Sequence, residues 1–318
     1  MDAVTDTNVY EPHQWKHSTI VAGVEWKNPV GTASGTFQLA ACRWFYDVSQ
    51  MGAICTKGVS PEPWQGNPGP RTAETPAGMV NSVGLQNPGV DHYLVDELPK
   101  LKDLGATVIT NVAGHSDDEY AEVVAKLADS RADMLEINVS CPNVNHGGMS
   151  VGTDPEALHR LIDRLRKITS KPMIVKLSPN VTDITTIARA RWCRRDALSL
   201  INTLVGMRID IRTRRTDPLD RHGRRVRPGD LPNRADYVWR VRQALPDIPI
   251  IGIGGIDSGE KALEYLYAGA NAVEVGAGCP VRSDGTTARG PRARRPVGFK
   301  ARTCGEARSG GDLEITIN

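Results

Sequence analysis

The six cysteines, at 42, 55, 141, 193, 279 and 304, form no Cys-x-x-Cys pair and no other clustered spacing. That scatter leaves no ligand pattern for a metal cluster and argues against a disulfide framework. No secretory signal stands at the N-terminus, so the expected setting is a reduced cytoplasm. No run approaches the ~18 apolar residues of a membrane span, and the polar leader 1–18 holds no amphipathic helix. A membrane partner is therefore not expected. Charge of one sign is also scarce: the net charge is +2, which gives no reason to expect nucleic acid. Finally, no Gly-x-Gly-x-x-Gly fingerprint occurs, so a Rossmann dinucleotide site has no support.

What remains is an ordinary globular composition. The chain has 318 residues, 40% of them apolar and 24% charged, enough for one large undivided domain. Arginine is unevenly spread, dense in 189–195, in 208–234 and after 281.

Short apolar runs rich in Val, Ile and Leu recur along the chain. They are Val30–Ser34, Ala53–Lys57, Thr107–Val112, Met134–Ser140, Pro172–Ser178, Ala197–Asn202, Ile248–Ile253 and Ala272–Gly276. Such near-continuous runs suit strands buried on both faces. Helical periodicity fills most gaps, over Asp91–Leu104, Asp117–Leu127, Asp154–Ile168 and Ser258–Ala268. Asp154 is an N-cap followed by Pro155 at the first helical position, and Gly269 suits a C-cap. Eight strands alternating with helices predict an α/β fold, a closed (β/α)8 TIM barrel, with an open doubly wound sheet as the alternative.

In a barrel, chemistry collects at the C-terminal strand ends. Those ends read Ala33-Ser34-Gly35, Lys57-Gly58, Asn111 to Gly114, Asn138 to Asn143, Lys176-Leu177-Ser178, Asn202-Thr203, Gly254-Gly255 and Gly276. Their polarity favours a bound polar ligand. Cys141, between Ser140 and Pro142, is either a small core hydrophobe or a general base whose pKa is lowered at the mouth. Asn138 and Asn143 flank it, each able to donate and accept. Lys57 and Lys176 end apolar strands, and a buried ammonium needs a partner. That partner is either a structural carboxylate or a bound anion, and the absence of carboxylates at the same strand ends favours the anion. The Gly254-Gly255 turn ahead of Asp257-Ser258 stands where barrels commonly bind phosphate through backbone N–H groups. Asn81 to Leu85 reads as a polar loop, either a plain turn or a grip on a ring with amide-like edges.

Taken as an ordered set, these strand ends, with Asn81-Ser-Val-Gly-Leu85 and Val175-Lys-Leu-Ser-Pro-Asn180, resemble the class 1 dihydroorotate dehydrogenases. The catalytic subunit of their NAD-linked (1B) branch is the nearer likeness, over about residues 19–278. The resemblance implies FMN across the barrel mouth. Ser34, Lys57, Gly58, Asn111, Asn138, Lys176 and Ile201 would line its ring and ribityl chain, and Gly254, Gly255, Gly276 and Ala277 its phosphate. Dihydroorotate would be held by Lys57, Asn81, Ser82, Val83, Gly84, Leu85, Asn138, Asn202 and Thr203, with Asn143 adding a contact. Cys141 would be the catalytic base, and Lys176 would stabilise the reduced ring. No metal is implied in this chain. Its implied partners are an electron-transfer subunit carrying FAD and a 2Fe-2S cluster, and a second copy in a homodimer.

Three stretches depart from family sequence: near 189–195, about 214–236, and 279–318. The second stands where the family has a glycine-rich flavin-phosphate loop, and the third where a last helix would close the barrel. One FMN-binding domain over 1–278 is therefore expected, followed by a basic, disordered tail at 279–318. Abrupt Arg-, Pro- and Gly-rich boundaries fit reading-frame slippage, with genuine divergence as the competing account. The functional alternatives are an inactive or misfolded product of a disrupted gene and a related pyrimidine-reducing dehydrogenase.

Overall fold

The computed structural model describes residues 18–42, 47–75, 78–139, 151–190, 197–216, 223–226, 230–276, 299–303 and 313–317. Eight parallel strands close into a barrel: β1 (Val30–Thr32), β2 (Ala53–Cys55), β3 (Val108–Val112), β4 (Met134–Asn138), β5 (Met173–Lys176), β6 (Ala197–Leu200), β7 (Ile250–Ile253) and β8 (Ala272–Val275). Neighbours in the ring are neighbours in sequence, and β8 pairs with β1 through Val273 opposite Val30. Each strand matches one of the eight predicted apolar runs. The runs overshoot by a residue or two because polar strand ends leave the ladder while staying extended.

Helices follow the strands: α1 (Leu39–Cys42), α2 (Val90–Val95), α3 (Glu97–Asp103), α4 (Asp117–Ala128), α5 (Pro155–Arg166), α6 (Ile184–Ala188), α7 (Leu231–Ala244) and α8 (Gly259–Tyr267). The predicted single helix over Asp91–Leu104 is two, α2 and α3, divided at Asp96. Pro99 supplies the reason: it has no N–H to donate to the carbonyl of Val95, and its ring crowds that group. Elsewhere the caps behave as the sequence suggests. Asp154 accepts from the N–H groups of Glu156 and Ala157 at 2.9 and 3.3 Å, and Ser116 and Ser258 cap α4 and α8.

Alternation along the strands separates two cores. In β4, Leu135 and Ile137 point outward and join Leu158, Leu161, Ile162 and Leu165 of α5 in the helix–strand core. Met134 points inward, into a smaller cluster with Ala53, Ile109, Ile174, Ala197, Ile251 and Ala272. A hairpin of Thr19–Val21 and Val24–Trp26 supplies Val21 and fully buried Trp26 to this inner cluster. The barrel interior is thus filled with apolar side chains.

A four-stranded antiparallel sheet orders Leu204–Gly206, Gly223–Val226, Gly78–Asn81 and Thr72–Thr75. It joins the segment after β6 to the excursion after β2. The second divergent stretch is partly described: Gly223–Val226 occupies a strand of this sheet, and α7 begins at Leu231. After β8, the described residues form one antiparallel pair, Phe299–Thr303 with Leu313–Ile317.

Candidate active site at the barrel mouth

Inward positions above the apolar layer are polar, and they converge. Lys176 ends β5 and Asn138 ends β4, paired in register. Both are buried, as are Asn111 on β3 and Ser34 just past β1. The Lys176 ammonium donates to Ser34 Oγ at 3.2 Å and to Glu136 Oε1 at 3.0 Å. Asn111 Nδ2 donates to the same carboxylate at 2.5 Å, and Ser199 Oγ donates to Glu136 Oε2 at 2.8 Å. Glu274 Oε2 lies 4.0 Å from Lys176 on the other side.

These contacts correct one expectation. Lys176 meets two carboxyl groups, Glu136 and Glu274, each two residues back along β4 and β8 from the strand exits at Asn138 and Gly276. The structural ion pair, not a bound anion, answers its charge. Burial works against the Lys176 charge, but Glu136 and then Glu274 outweigh it and raise its pKa. Burial likewise opposes the charge on Glu136, and Lys176 with the Ser199 and Asn111 bonds prevails, holding it below the ordinary carboxylate range. Burial pushes the Glu274 carboxyl well up, reinforced by the charge on Glu136. Cys55 is held neutral by burial and by Glu136. Cys55, Glu136 and Glu274 bring ligand-type atoms within 4.8 Å of one another, yet the Lys176 ammonium already holds the cation position among them.

Lys57 differs. It is half-buried, it donates to the Gly35 carbonyl at 3.4 Å, and burial lowers its pKa. Among the described residues no carboxylate lies within ion-pair distance of it, so an arriving anion has a cation to meet.

The asparagines form a second group. Asn202 Nδ2 donates to Asn138 Oδ1 at 3.2 Å, and Asn202 Oδ1 accepts from the Thr203 N–H at 2.7 Å. Tyr120 on α4 donates its hydroxyl to the Asn138 carbonyl at 2.6 Å, anchoring the strand end. Ile201 is buried between them and α7, and its carbonyl accepts from Arg234 at 3.4 Å. Asn81 closes the Gly78–Asn81 strand, and Ser82 to Leu85 continue as a loop tied by Asn67 to the Ser82 carbonyl at 2.9 Å. Gly84 and Leu85 both have positive φ, +76° and +54°. This loop shares the antiparallel sheet with Leu204–Gly206, and no direct contact between residues 82–85 and the asparagines is recorded.

At the end of β7, Gly254 and Gly255 have φ of +98° and +75°, where a side chain would be strained. A Cβ on Gly254 would lie 2.3 Å from Arg234 Nη1. Arg234, buried beneath, donates to the Ile253 carbonyl at 3.2 Å, and Tyr265 donates to the carbonyls of Ile253 and Gly254 at 3.0 and 2.8 Å. Gly276 follows β8 beside Ala33, to which a Cβ would come within 3.1 Å. Cys141, Asn143 and Ala277 lie outside the described residues.

The strand ends alone do not reveal Glu136, Glu274, Ser199, Cys55 or Arg234. For Glu136 and Glu274 the sequence holds a signal: each is an acid inside an apolar run, two positions before the strand exits at Asn138 and Gly276, and such an acid is costly unless paired. Arg234 carried none, lying in an arginine-rich stretch with nothing to mark it as buried.

Residues 17–286 match the model of the dihydroorotate dehydrogenase family. Three curated relatives are each named dihydroorotate dehydrogenase B (NAD(+)), catalytic subunit. That of Alkaliphilus metalliredigens is 49% identical over 258 residues, 80% of this chain and 85% of the relative. That of Listeria monocytogenes is 46% identical over 259 residues, with the same two shares. That of Lachnoclostridium phytofermentans is 49% identical over 258 residues, 80% and 86% of the two chains. With a closed barrel whose mouth gathers these lysines, asparagines and glycines, the chain belongs to the dihydroorotate dehydrogenase family.

Proposed function

We propose that this chain oxidises dihydroorotate to orotate in pyrimidine synthesis, with FMN bound across the barrel mouth. The observation that carries the reading is the convergence of Lys176, Asn111, Asn138 and Asn202 from four successive strands, β5, β3, β4 and β6, onto one polar floor. FMN would supply a two-electron acceptor. The residues fit such a group on two counts. Asn111 Oδ1 is buried with no hydrogen-bond partner, an acceptor that a ring N–H would satisfy. The positive-φ Gly254-Gly255 turn also offers backbone unscreened by side chains, suited to a phosphate.

In this reading Ser34, Gly58, Asn111, Lys176 and Ile201 line the ring and ribityl chain, and Gly254, Gly255, Gly276 and Ala277 the phosphate. Lys57, with no recorded carboxylate partner, meets the substrate carboxylate. Asn138 and Asn202, joined to each other and fixed by Tyr120 and Thr203, orient the substrate ring with the donors and acceptors they have left. Asn81 to Leu85, Thr203 and Asn143 complete that grip. Cys141, three residues past Asn138, takes the proton alpha to a ring carbonyl. Lys176, kept cationic by Glu136, favours the added negative charge of a reduced ring.

The relatives' shared name, a catalytic subunit, supports an electron-transfer partner. In this reading FAD and a 2Fe-2S cluster in that partner carry electrons onward, and two copies of this chain form a homodimeric core. No helix among the described residues is long and apolar enough to cross a membrane, which agrees with a cytoplasmic enzyme. The match to the dihydroorotate dehydrogenase model favours this substrate over that of the pyrimidine-reducing enzymes. Purified protein should be yellow, and anaerobic dihydroorotate should bleach it. A colourless chain that gains no flavin on incubation would overturn the reading and support a product of a disrupted gene.

A further inference from the structure

Two buried carboxyls share one buried ammonium inside the barrel. Lys176 Nζ stands 3.0 Å from Glu136 Oε1 and 4.0 Å from Glu274 Oε2, with side-chain exposures of 6%, 0% and 0%. Cys55 Sγ, the remaining titratable neighbour, lies 3.4 Å from Glu136 Oε1. We propose that Glu136 and Glu274 act as one carboxyl pair carrying a single negative charge and a single proton, and that either member can carry the charge that holds Lys176 as a cation.

Two carboxylates, one ammonium and a neutral thiol would leave a net negative charge away from water, which costs several kcal/mol. One proton retained by the pair removes it. The hydrogen bonds say where that proton rests. Glu136 accepts from Lys176, Asn111, Ser199 and Cys55, whereas both oxygens of Glu274 lack hydrogen-bond partners. The charge therefore rests on Glu136 and the proton on Glu274. The placement also makes the pair redundant. With the charge of Glu136 removed, Lys176 would face a carboxyl already at ion-pair distance, and ionising it restores neutrality. Glu136 and Glu274 are thus positioning residues that act through Lys176. Their effect on a flavin rests on the proposed function, but the pair itself does not.

The test is infrared spectroscopy of the flavin-free chain at neutral pH, where a buried protonated carboxyl gives a carbonyl band apart from the carboxylates. Wild type should show the band, and E274Q should lose it. E136Q should lose it too, because Glu274 then ionises to hold Lys176. A simple Glu136–Lys176 ion pair instead predicts that E136Q keeps the band, with Lys176 neutral, and that result overturns the proposal. If E136Q does not fold, E136D must retain the band, and its loss there overturns the pair equally. In flavin-loaded enzyme, each single Gln variant should move the reduction equilibrium less than about threefold. E136Q/E274Q, with no carboxylate left to hold Lys176 as a cation, should disfavour reduction at least tenfold, ~30 mV for a two-electron couple. Equal shifts in E136Q and the double variant would refute redundancy. A chain that takes up no flavin would sink the proposed function while leaving the infrared result to decide the pair.

Discussion

Cys141 follows Asn138 by three residues, and the Asn138 carbonyl is clamped by Tyr120 at 2.6 Å. The clamp fixes the end of β4. Cys141→Ser should slow flavin reduction by dihydroorotate at least tenfold near neutral pH, because a hydroxyl is a far weaker base than a thiolate. Stopped-flow bleaching measures this, and an unchanged rate removes Cys141 from its role. Gly254 gives a second prediction. Its φ of +98° and the 2.3 Å approach of a Cβ to Arg234 Nη1 leave no room for a side chain. Gly254→Ala should cost about 1–3 kcal/mol in backbone strain and weaken flavin retention. Thermal melts with a count of bound flavin would show both losses, and a variant with wild-type melting and occupancy would refute the assignment.

At the scale of elements, α5 shows how local signals place a barrel helix. Asp154 caps it, Pro155 opens it, and Leu158, Leu161, Ile162 and Leu165 bury one face. All of this was legible along the chain, since caps and periodicity act within one or two turns. Asp154→Ala should lower stability by about 1 kcal/mol, read as a lower urea midpoint with unchanged slope. The same inspection ran α2 and α3 together, because the apolar period continues across Pro99 while the backbone cannot. The sheet that gathers Leu204–Gly206, Gly223–Val226 and Gly78–Asn81 was not legible at all. Its partners lie far apart in sequence, and their pairing depends on the barrel bringing the ends of β2 and β6 to one mouth.

For the whole molecule, the buried Glu274 ties folding to pH. Its folded pKa lies well above the ordinary carboxylate value, pushed there by burial and then by the charge on Glu136. A raised carboxyl pKa means that stability falls as pH rises above the unfolded value of about 4.3, until the folded pKa is reached. Glu136 contributes in the opposite sense, its stabilisation being lost only as pH falls below that value. Between pH 5 and 8 the Glu274 effect stands alone of the two. Wild type should lose melting temperature across that range, and E274Q should lose less. Equal slopes in the two proteins would show that Glu274 is ionised in the folded state.

Reading along the chain sufficed for the eight strands, the barrel and the polar strand ends, including Lys57, Asn111, Asn138, Lys176 and Gly254-Gly255. Those features depend on apolar runs, caps and strand exits, all set within a few residues. The partners of those residues came only with closure of the barrel. Glu136 and Glu274 lie on β4 and β8, and they meet Lys176 of β5 because alternate residues of every strand face one narrow interior. Arg234 likewise supports Gly254 only once α7 is laid against β6 and β7. Closure also settled what answers the charge of Lys176: two carboxyls from within the barrel, since an ammonium buried there without them would be too costly to keep.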